Sequence, residues 1–367
     1  MLFRSVRAEP NYIGALSLVP NDTYYSQTSD HLGRIGMEDA WDVQAGGSPS
    51  VLVAVIDSGV DANHEDLDSA IHATSYNFVN DYTNIFDDRG HGTRIAGVIA
   101  AEGNNSQGIA GIAFGVKILS CDVVDSAGVL TTARTVQAIN YAAAQGANVI
   151  NMSLSFFAES EILESAIENA AQSAVLVASA GNEGQGETPV YPASYDAVIG
   201  VGATELASDA RASFSNFNGS DDSLVDLVAP GVLIYSTIPG SLYSDRNSSG
   251  TSIAAPMVSG VAALLASKYP AQSVEGIKNH LFSAAVPLGD WAGYGRLSGK
   301  NALETAPQPV LSVAGVIIDD STAVDSGNDN DGAWDKGETV DLIITLENTH
   351  CDAIDVTAEL STTDPDV

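Results

Sequence analysis

Between residues 50 and 300 the chain alternates short, continuously apolar runs with longer segments that carry one apolar face. The apolar runs predict strands buried on both sides, and the amphipathic segments predict helices. Strands are predicted at residues 51–56, 116–124, 149–154, 175–179 and 197–201. Helices are predicted at residues 91–101, 132–145, 161–172 and 252–268. This alternation predicts an α/β domain with a mostly parallel central sheet covered by helices.

Residues with potentially catalytic side chains lie where predicted strands end and predicted helices begin. Right-handed crossovers place the carboxyl ends of parallel strands along one edge of a sheet, where ligands usually bind. Asp57, His91 and Ser252 each lie within two residues of a glycine in such a position. A serine needs a base to remove its proton as it attacks, and His91 is suited to that role. Asp57 can hold the imidazole in the required tautomer, so the three segments predict an activated serine nucleophile.

A fourth segment supplies a donor for acyl transfer. Residues 179–184 (SAGNEG) follow a predicted strand. The Asn182 amide, together with the backbone N–H of Ser252, can stabilise the oxyanion that forms during acyl transfer. Each of these residues alone is more often a cap or a turn residue, so the prediction depends on all four occurring together and in this order.

The pattern changes after about residue 308. Segments of β character lie at 310–318, 339–346 and 352–360, and residues 308–367 hold 14 acidic residues and one lysine. About 60 residues fall short of the roughly 100 of a sandwich domain, so a partial, acidic β-sandwich-like module is predicted. Its loop at 325–338 spaces Asp329, Asp331 and Asp335 so that they could surround a cation. Calcium binding is one interpretation of this segment, and a solvated acidic loop without a bound ion is the alternative.

Charge and composition exclude several classes of partner. The formal net charge of −33 disfavours nucleic acid and anionic membranes. A well-solvated surface explains the charge more simply than a specific cationic partner. Pro256, Ser259 and Gly260 interrupt the longest apolar run, so no membrane span is predicted. The two cysteines form neither a disulfide framework nor a metal motif. The N-terminus lacks the apolar core of a signal peptide, and the sequence stops directly after a strand-like run, so a fragment trimmed at both ends is expected.

These motifs resemble the subtilisin-type serine proteases, the subtilases, over about residues 23–305. The order Asp, His, Ser is also the order found in subtilisin. The resemblance rests on VAVIDSGV at 53–60, HGT at 91–93, NMSL at 151–154, AGNEG at 180–184, VAPG at 228–231 and GTSIAAP at 250–256. NNSQGIAG at 104–111 and YAAAQG at 141–146 are closest to the thermitase-like members. The resemblance implies a subtilisin-like three-layer fold and a secreted serine endopeptidase that acts through an acyl-enzyme.

The resemblance also implies a cleft for polypeptide substrates. The peptide would bind as an added strand, which is a common mode of peptide recognition. The walls of the cleft and of its S1 pocket would be Ser153, Leu154, Ser155, Ser179, Ala180 and Gly181. The family usually has glycine where Ser155 stands, so its hydroxymethyl group would crowd strand pairing or narrow S1. Arg94 stands where histidine is common, and the Tyr191–Pro192 bond is expected to be cis, as in the family.

A structural calcium site is implied beside the loop at 102–109. Its ligands would be the carboxylate of Asp66, the side-chain oxygen of Asn105 and the main-chain carbonyls of Glu102, Gln107 and Ile109. Oxygen ligands of this kind suit Ca²⁺. The alternative for this loop is a plain surface turn.

Residues 7–12 (RAEPNY) resemble the last strand of the family's inhibitory propeptide. The predicted organisation is therefore a propeptide remnant at 1–22, a peptidase domain at 23–306 and the acidic module at 308–367, in a monomeric zymogen. An ordinary N-terminal arm is the alternative for 1–22. The rival functions are a pseudoprotease, an adhesin with a degenerate protease domain, and an α/β-hydrolase esterase, whose Gly-x-Ser-x-Gly motif is not matched by GTSIA at 250–254.

Overall fold

The computed structural model describes residues 18–186, 188–219, 224–244, 248–307, 311–319 and 341–348. The helices are α1 (Tyr25–Arg34), α2 (Met37–Val43), α3 (His91–Ala100), α4 (Thr132–Ala144), α5 (Glu161–Ala171), α6 (Thr251–Lys268), α7 (Val274–Ala284) and α8 (Gly299–Glu304). The strands are β1 (Leu52–Asp57), β2 (Tyr76–Asn77), β3 (Lys117–Asp122), β4 (Val149–Met152), β5 (Val175–Ser179), β6 (Val198–Thr204), β7 (Leu227–Pro230), β8 (Thr237–Ile238), β9 (Leu242–Tyr243), β10 (Gly295–Arg296), β11 (Leu311–Asp319) and β12 (Asp341–Asn348).

Eight strands form one parallel sheet in the order β10-β7-β6-β5-β4-β1-β3-β2. Helices cover both faces, which confirms the predicted α/β class with its parallel central sheet. From β1 the chain moves to β3 on one side and then to β4 on the other, so the strand order reverses around β1. In open α/β sheets such a reversal leaves a crevice outside the carboxyl ends of the strands, where ligands bind.

Strand β1 shows why its apolar run has no polar gaps. All six of its residues are buried. Val53 and Val55 belong to one core cluster, and Leu52, Ala54 and Ile56 belong to a second. Successive strand residues point to opposite faces, so the two clusters lie on opposite sides of the sheet. Residues of α3 and α6 join the first cluster, and residues of α4 and α5 join the second, which gives three layers.

Helix α6 runs through the centre of the protein. It is 18 residues long, continues past Pro256 to Lys268, and packs against α3 and against strands β4 to β7. Among the described residues it is the one helix long and apolar enough to cross a membrane, yet 83% of that window is buried inside the protein. That burial is typical of a core helix of a globular domain.

Strands β11 and β12 form a separate antiparallel pair with an irregularity between Val313 and Gly315. They correspond to the β segments predicted at 310–318 and 339–346. The predicted strand at 352–360, the acidic loop at 325–338 and the segment at 7–12 lie outside the described residues. The proposed domain boundaries stay a prediction.

Candidate active site

Asp57 and His91 form a hydrogen-bonded pair. Asp57 is the last residue of β1 and His91 is the first residue of α3. The Nδ1 of His91 lies 2.7 Å from Oδ1 of Asp57, which also accepts the N–H of Ser58 at 2.8 Å. The Asp57 carboxylate is buried, whereas the His91 side chain is 39% exposed. This leaves Nε2 as the ring nitrogen that can act on another group.

The Asp57 carboxylate raises the pKa of His91 above its usual value. Its charge is the largest cause, and burial of the ring acts in the opposite direction. The charge of Asp87 also raises the pKa, and the charge of Arg94, one turn further along α3, lowers it. An imidazole stabilised in this way is a stronger base than free histidine.

Asp87 fixes the start of α3. Its buried carboxylate accepts the N–H groups of Gly90 and Thr93 at 2.7 and 2.8 Å and the hydroxyl of Thr93 at 2.7 Å. It also accepts the Ser58 hydroxyl at 2.9 Å, and this same hydroxyl accepts the N–H of Gly92. The first N–H groups of a helix have no partner inside the helix, so Asp87 supplies one. The helix that carries His91 is thereby tied to the end of the strand that carries Asp57.

Ser252 lies in the first turn of α6. The preceding Gly250 has φ 155°, and a Cβ added to it would lie 3.0 Å from Ser252 Oγ and 3.7 Å from Asn182 Nδ2. Glycine is therefore required at 250, and the hydroxyl of Ser252 and the amide of Asn182 border the same small space. The carbonyl of Ser252 accepts the Ser153 hydroxyl at 2.7 Å.

The Asn182 amide is oriented by the start of α6. Its Oδ1 accepts the N–H of Thr251 at 2.8 Å and lies 3.2 Å from the Thr251 hydroxyl. That hydroxyl also accepts the N–H of Gly181 at 3.1 Å. With its oxygen held in this way, Asn182 keeps its NH₂ group for another acceptor.

The sheet register brings these groups to one edge. Val55 of β1 pairs with Asn151 of β4. Asp57 and Ser153 each lie two residues beyond this pair, where the two strands reach the carboxyl edge of the sheet. Because the Ser153 hydroxyl holds the carbonyl of Ser252, the predicted acid, base, nucleophile and oxyanion donor all lie at the carboxyl edge of the sheet, around β1, β4 and β5.

The residues predicted to bind substrate lie at the same edge. Ser153, Leu154 and Ser155 directly follow β4, while Ser179 ends β5 and precedes Ala180 and Gly181. Ser155 is partly exposed, and the others in its segment are buried. The next residue, Phe156, pairs through its backbone with Tyr191 at 2.7 and 2.9 Å. The Tyr191–Pro192 bond is cis, as predicted.

Of the residues predicted to bind calcium, Asn105 and Ile109 contact the Asp66 carboxylate, the N–H of Glu102 donates to the main-chain carbonyl of Asp66, and Gln107 contacts Asn105. The Asp66 carboxylate is fully buried and accepts the Asn105 amide at 3.1 Å and the N–H of Ile109 at 2.9 Å. Burial raises its pKa to about 7. Gly108 approaches it so closely that an added Cβ would lie 2.1 Å from Oδ2. The Glu102 carboxylate bonds the Ser69 hydroxyl instead, which leaves its main-chain carbonyl as the possible ligand.

Asp22 is a further residue that contacts this loop and that the motifs did not indicate. It is buried, its Oδ2 accepts the N–H of Asn104 at 2.8 Å, and its Oδ1 is a buried oxygen without a hydrogen-bond partner. The charge of Asp22 also raises the pKa of Asp66. Two close buried carboxylates, one with an orphaned oxygen, are a set that a cation would stabilise. Asp22 lies 82 residues before Asn104 in the sequence, so no local motif could have indicated it.

The donor set fits calcium and not a transition metal. The described residues contain no group of three or more His, Cys, Asp or Glu side chains that could hold a metal. Calcium also takes amide and main-chain carbonyl oxygens, which the loop offers beside the two carboxylates. Asn105 currently turns its NH₂ towards Asp66, while its oxygen accepts the N–H of Gln107. It would have to rotate its amide to serve as a ligand.

Comparisons with known proteins agree with this geometry. A sequence model described as the Subtilase family matches residues 48–329. A thermophilic serine proteinase of Bacillus sp. (strain AK1) is 42% identical over 300 residues, which cover 81% of this chain and 72% of that protein. Thermitase of Thermoactinomyces vulgaris is 41% identical over 250 residues, covering 68% and 86%. A solved protease from Pseudoalteromonas arctica superposes with a TM-score of 0.70 at 26% identity and covers 78% of this chain and 98% of that one.

Proposed function

The chain belongs to the subtilase family and is a serine-type endopeptidase, and we propose that Asp57, His91 and Ser252 are its catalytic triad. The observation that carries this proposal is the 2.7 Å hydrogen bond between Asp57 Oδ1 and His91 Nδ1 at the edge of the sheet where α6 begins. It supplies a base with a raised pKa at the edge of the sheet where the helix of Ser252 begins.

In the proposed reaction, Ser252 Oγ attacks the scissile carbonyl carbon while His91 Nε2 takes its proton. Asp57 stabilises the imidazolium and does not itself become protonated. The tetrahedral intermediate collapses, His91 returns the proton to the leaving amine, and an acyl-enzyme remains. A water molecule then attacks the ester with His91 again as base, and release of the acid regenerates Ser252.

We propose that Asn182 Nδ2 and the backbone N–H of Ser252 bind the oxyanion. Support comes from the Thr251 N–H, which holds Oδ1 of Asn182 and leaves Nδ2 free. Ser252 lies in the first turn of α6, where an N–H has no acceptor inside its helix. Both donors are held in place before substrate binds, so no reorganisation is needed as negative charge develops.

Polypeptide substrates are proposed to lie along residues 153–155, with the P1 side chain between that segment and residues 179–182. The burial of Ser153, Ser179 and Ala180 supports firm walls for this pocket. Ser155, where the family usually has glycine, would face the peptide and restrict the P1 side chain.

A serine-directed fluorophosphonate tests the triad. We expect stoichiometric labelling at Ser252, identified by mass spectrometry of the labelled peptide. Because His91 must be neutral to act as base and its pKa is raised, the labelling rate should fall as pH drops through a value above 6.5. Asp57→Asn removes the main cause of that raised pKa, so the fall in labelling rate should then occur at a lower pH. A folded protein that is not labelled at any pH would favour the pseudoprotease.

A structural calcium ion is proposed at Asp22, Asp66 and the loop at 102–109. An ion that binds only the folded state at a thousand times its Kd stabilises that state by roughly 4 kcal/mol. At roughly 2–4 °C per kcal/mol, we expect EDTA to lower the melting temperature by about 10 °C.

Asp22→Asn serves as the matched variant for this measurement. It removes one of the two buried carboxylates, so its melting temperature in calcium should be lower and its further decrease in EDTA smaller. An identical melting temperature of the unmodified protein with and without EDTA would contradict the calcium proposal.

Secretion, and inhibition by a propeptide that is cleaved off among residues 14–22, are also proposed on the resemblance alone, and the calcium proposal requires that this cleavage precede Asp22. A monomeric state and the absence of nucleic-acid and membrane partners stay predictions from the sequence.

A further inference from the structure

The side chain of Asn216 uses all of its hydrogen-bonding capacity on one loop. It is 1% exposed. Its Nδ2 donates to the carbonyl of Ala180 at 3.0 Å and to Oε2 of Glu183 at 2.8 Å. Its Oδ1 accepts the N–H groups of Glu183 at 3.1 Å and Gln185 at 3.0 Å. An asparagine amide offers two N–H donors and two lone pairs, so no capacity is left over.

These contacts lie on both sides of Asn182 in the chain. Ala180 precedes it, and Glu183 and Gln185 follow it. The main chain of residues 214–217 adds three hydrogen bonds to the same loop. The Asn216 N–H donates to the carbonyl of Gly181, the Gly184 N–H donates to the carbonyl of Phe214, and the Phe217 N–H donates to the carbonyl of Gln185. The approach is close, because a Cβ added to Gly181 would lie 2.4 Å from Asn216 Nδ2.

Asn182 is therefore fixed from two directions. Thr251, at the start of α6, holds its side-chain oxygen. Asn216 holds the main chain from which that side chain projects, while Asn182 itself is exposed. Thr251 belongs to the helix of the nucleophile, whereas the Asn216 contacts tie the backbone around Asn182 to a different segment of the chain.

We propose that Asn216 is a positioning residue for the oxyanion donor. It acts through Asn182 by holding residues 180–185 in the conformation that aims Nδ2 at the developing negative charge. The inference rests on the proposed function, since it takes Asn182 as that donor. A misplacement of about 1 Å in a catalytic group can cost about 100-fold in rate, so losing four contacts on this loop should affect turnover more than substrate binding.

The first test measures kcat and KM for Asn216→Ala alone and in the Asn182→Ala background. Alone, it should lower kcat by about 10- to 100-fold and leave KM within about threefold. In the Asn182→Ala background it should cost less than about twofold, because the group it positions is already absent. An equal loss of kcat in both backgrounds, or a loss carried by KM, would overturn the proposal.

A donor–acceptor exchange keeps the proposal testable if Asn216→Ala fails to fold. Asn216→Asp keeps both acceptor contacts but loses both donors and sets two carboxylates 2.8 Å apart, so kcat should fall. Adding Glu183→Gln returns an N–H donor to that contact, so kcat of the double variant should be at least tenfold higher than that of Asn216→Asp. Glu183→Gln alone should stay within about twofold of the unmodified protein, because its amide oxygen can still accept from Asn216. Failure of the exchange to raise kcat above that of Asn216→Asp, at matched melting temperatures, would count against positioning.

These results separate two kinds of failure. If Asn182→Ala itself leaves kcat unchanged, the proposed oxyanion role of Asn182 is wrong. If Asn182→Ala lowers kcat and the Asn216 variants do not, the positioning role alone is wrong.

Discussion

Replacing either Ser252 or His91 with alanine should lower kcat by about a million-fold, the magnitude known for the triad of subtilisin, which is similar to this chain. Ser252 Oγ is the proposed nucleophile, and without His91 it keeps its proton at neutral pH. The double variant should be only slightly slower than either single variant, because the two side chains perform one step together. KM should change little, since neither group is needed to bind the peptide.

The measurement is hydrolysis of a chromogenic peptide, with folding checked by melting temperature. Ser29→Ala, on the exposed face of α1, and His72→Ala, away from the carboxyl edge of β1, are matched controls that should keep full activity. Additive losses in the double variant would show that Ser252 and His91 act independently and would refute a shared mechanism. Residual activity of about a thousand-fold over water is expected in every triad variant, because the oxyanion donors remain.

Replacing Asn182 with alanine should lower kcat by about 100- to 1,000-fold, as loss of this kind of donor does in subtilisin itself. The ground-state carbonyl oxygen carries little charge, whereas the tetrahedral intermediate carries a full negative charge. The Asn182 donor therefore stabilises the transition state more than it stabilises bound substrate, and KM should change by less than about threefold.

Asn279→Ala is the matched control for this variant. Asn279 is exposed on α7, where its amide bonds Glu275. The triad should remain intact in Asn182→Ala, so fluorophosphonate should still label Ser252, though more slowly. An increase in KM at unchanged kcat would mean that Asn182 binds the substrate and not the oxyanion.

The sequence predicted the central elements well because burial on both faces leaves a simple pattern. Strand β5 spans the predicted residues 175–179 without change, and helices α3, α4 and α5 end within one residue of their predicted ends. Helix α1 was not predicted. It buries only Thr28, His31 and Leu32, two of which are polar, so it presents no apolar stripe.

The residues of the candidate site likewise fall into those that the sequence predicts and those that it does not. Asp57, His91, Asn182 and Ser252 could be predicted because each lies in a short motif at an element boundary. Asp22 and Asn216 could not, because each acts on residues that are far away in the sequence, and nothing local distinguishes a buried anchoring side chain from an ordinary turn residue. Their roles depend on the loop packing that only the folded chain creates.

Ser252, the proposed nucleophile, lies in the first turn of α6, and this helix packs against α3 and against four strands of the sheet, so the backbone of the serine is anchored in the core. Local fraying at the periphery would leave the reaction untouched, and any motion large enough to displace the serine would break up the entire domain. The lifetime of activity on heating should therefore equal the lifetime of the native state. Each copy would remain a working protease until it collapses, and it would then become a substrate for the copies that have not.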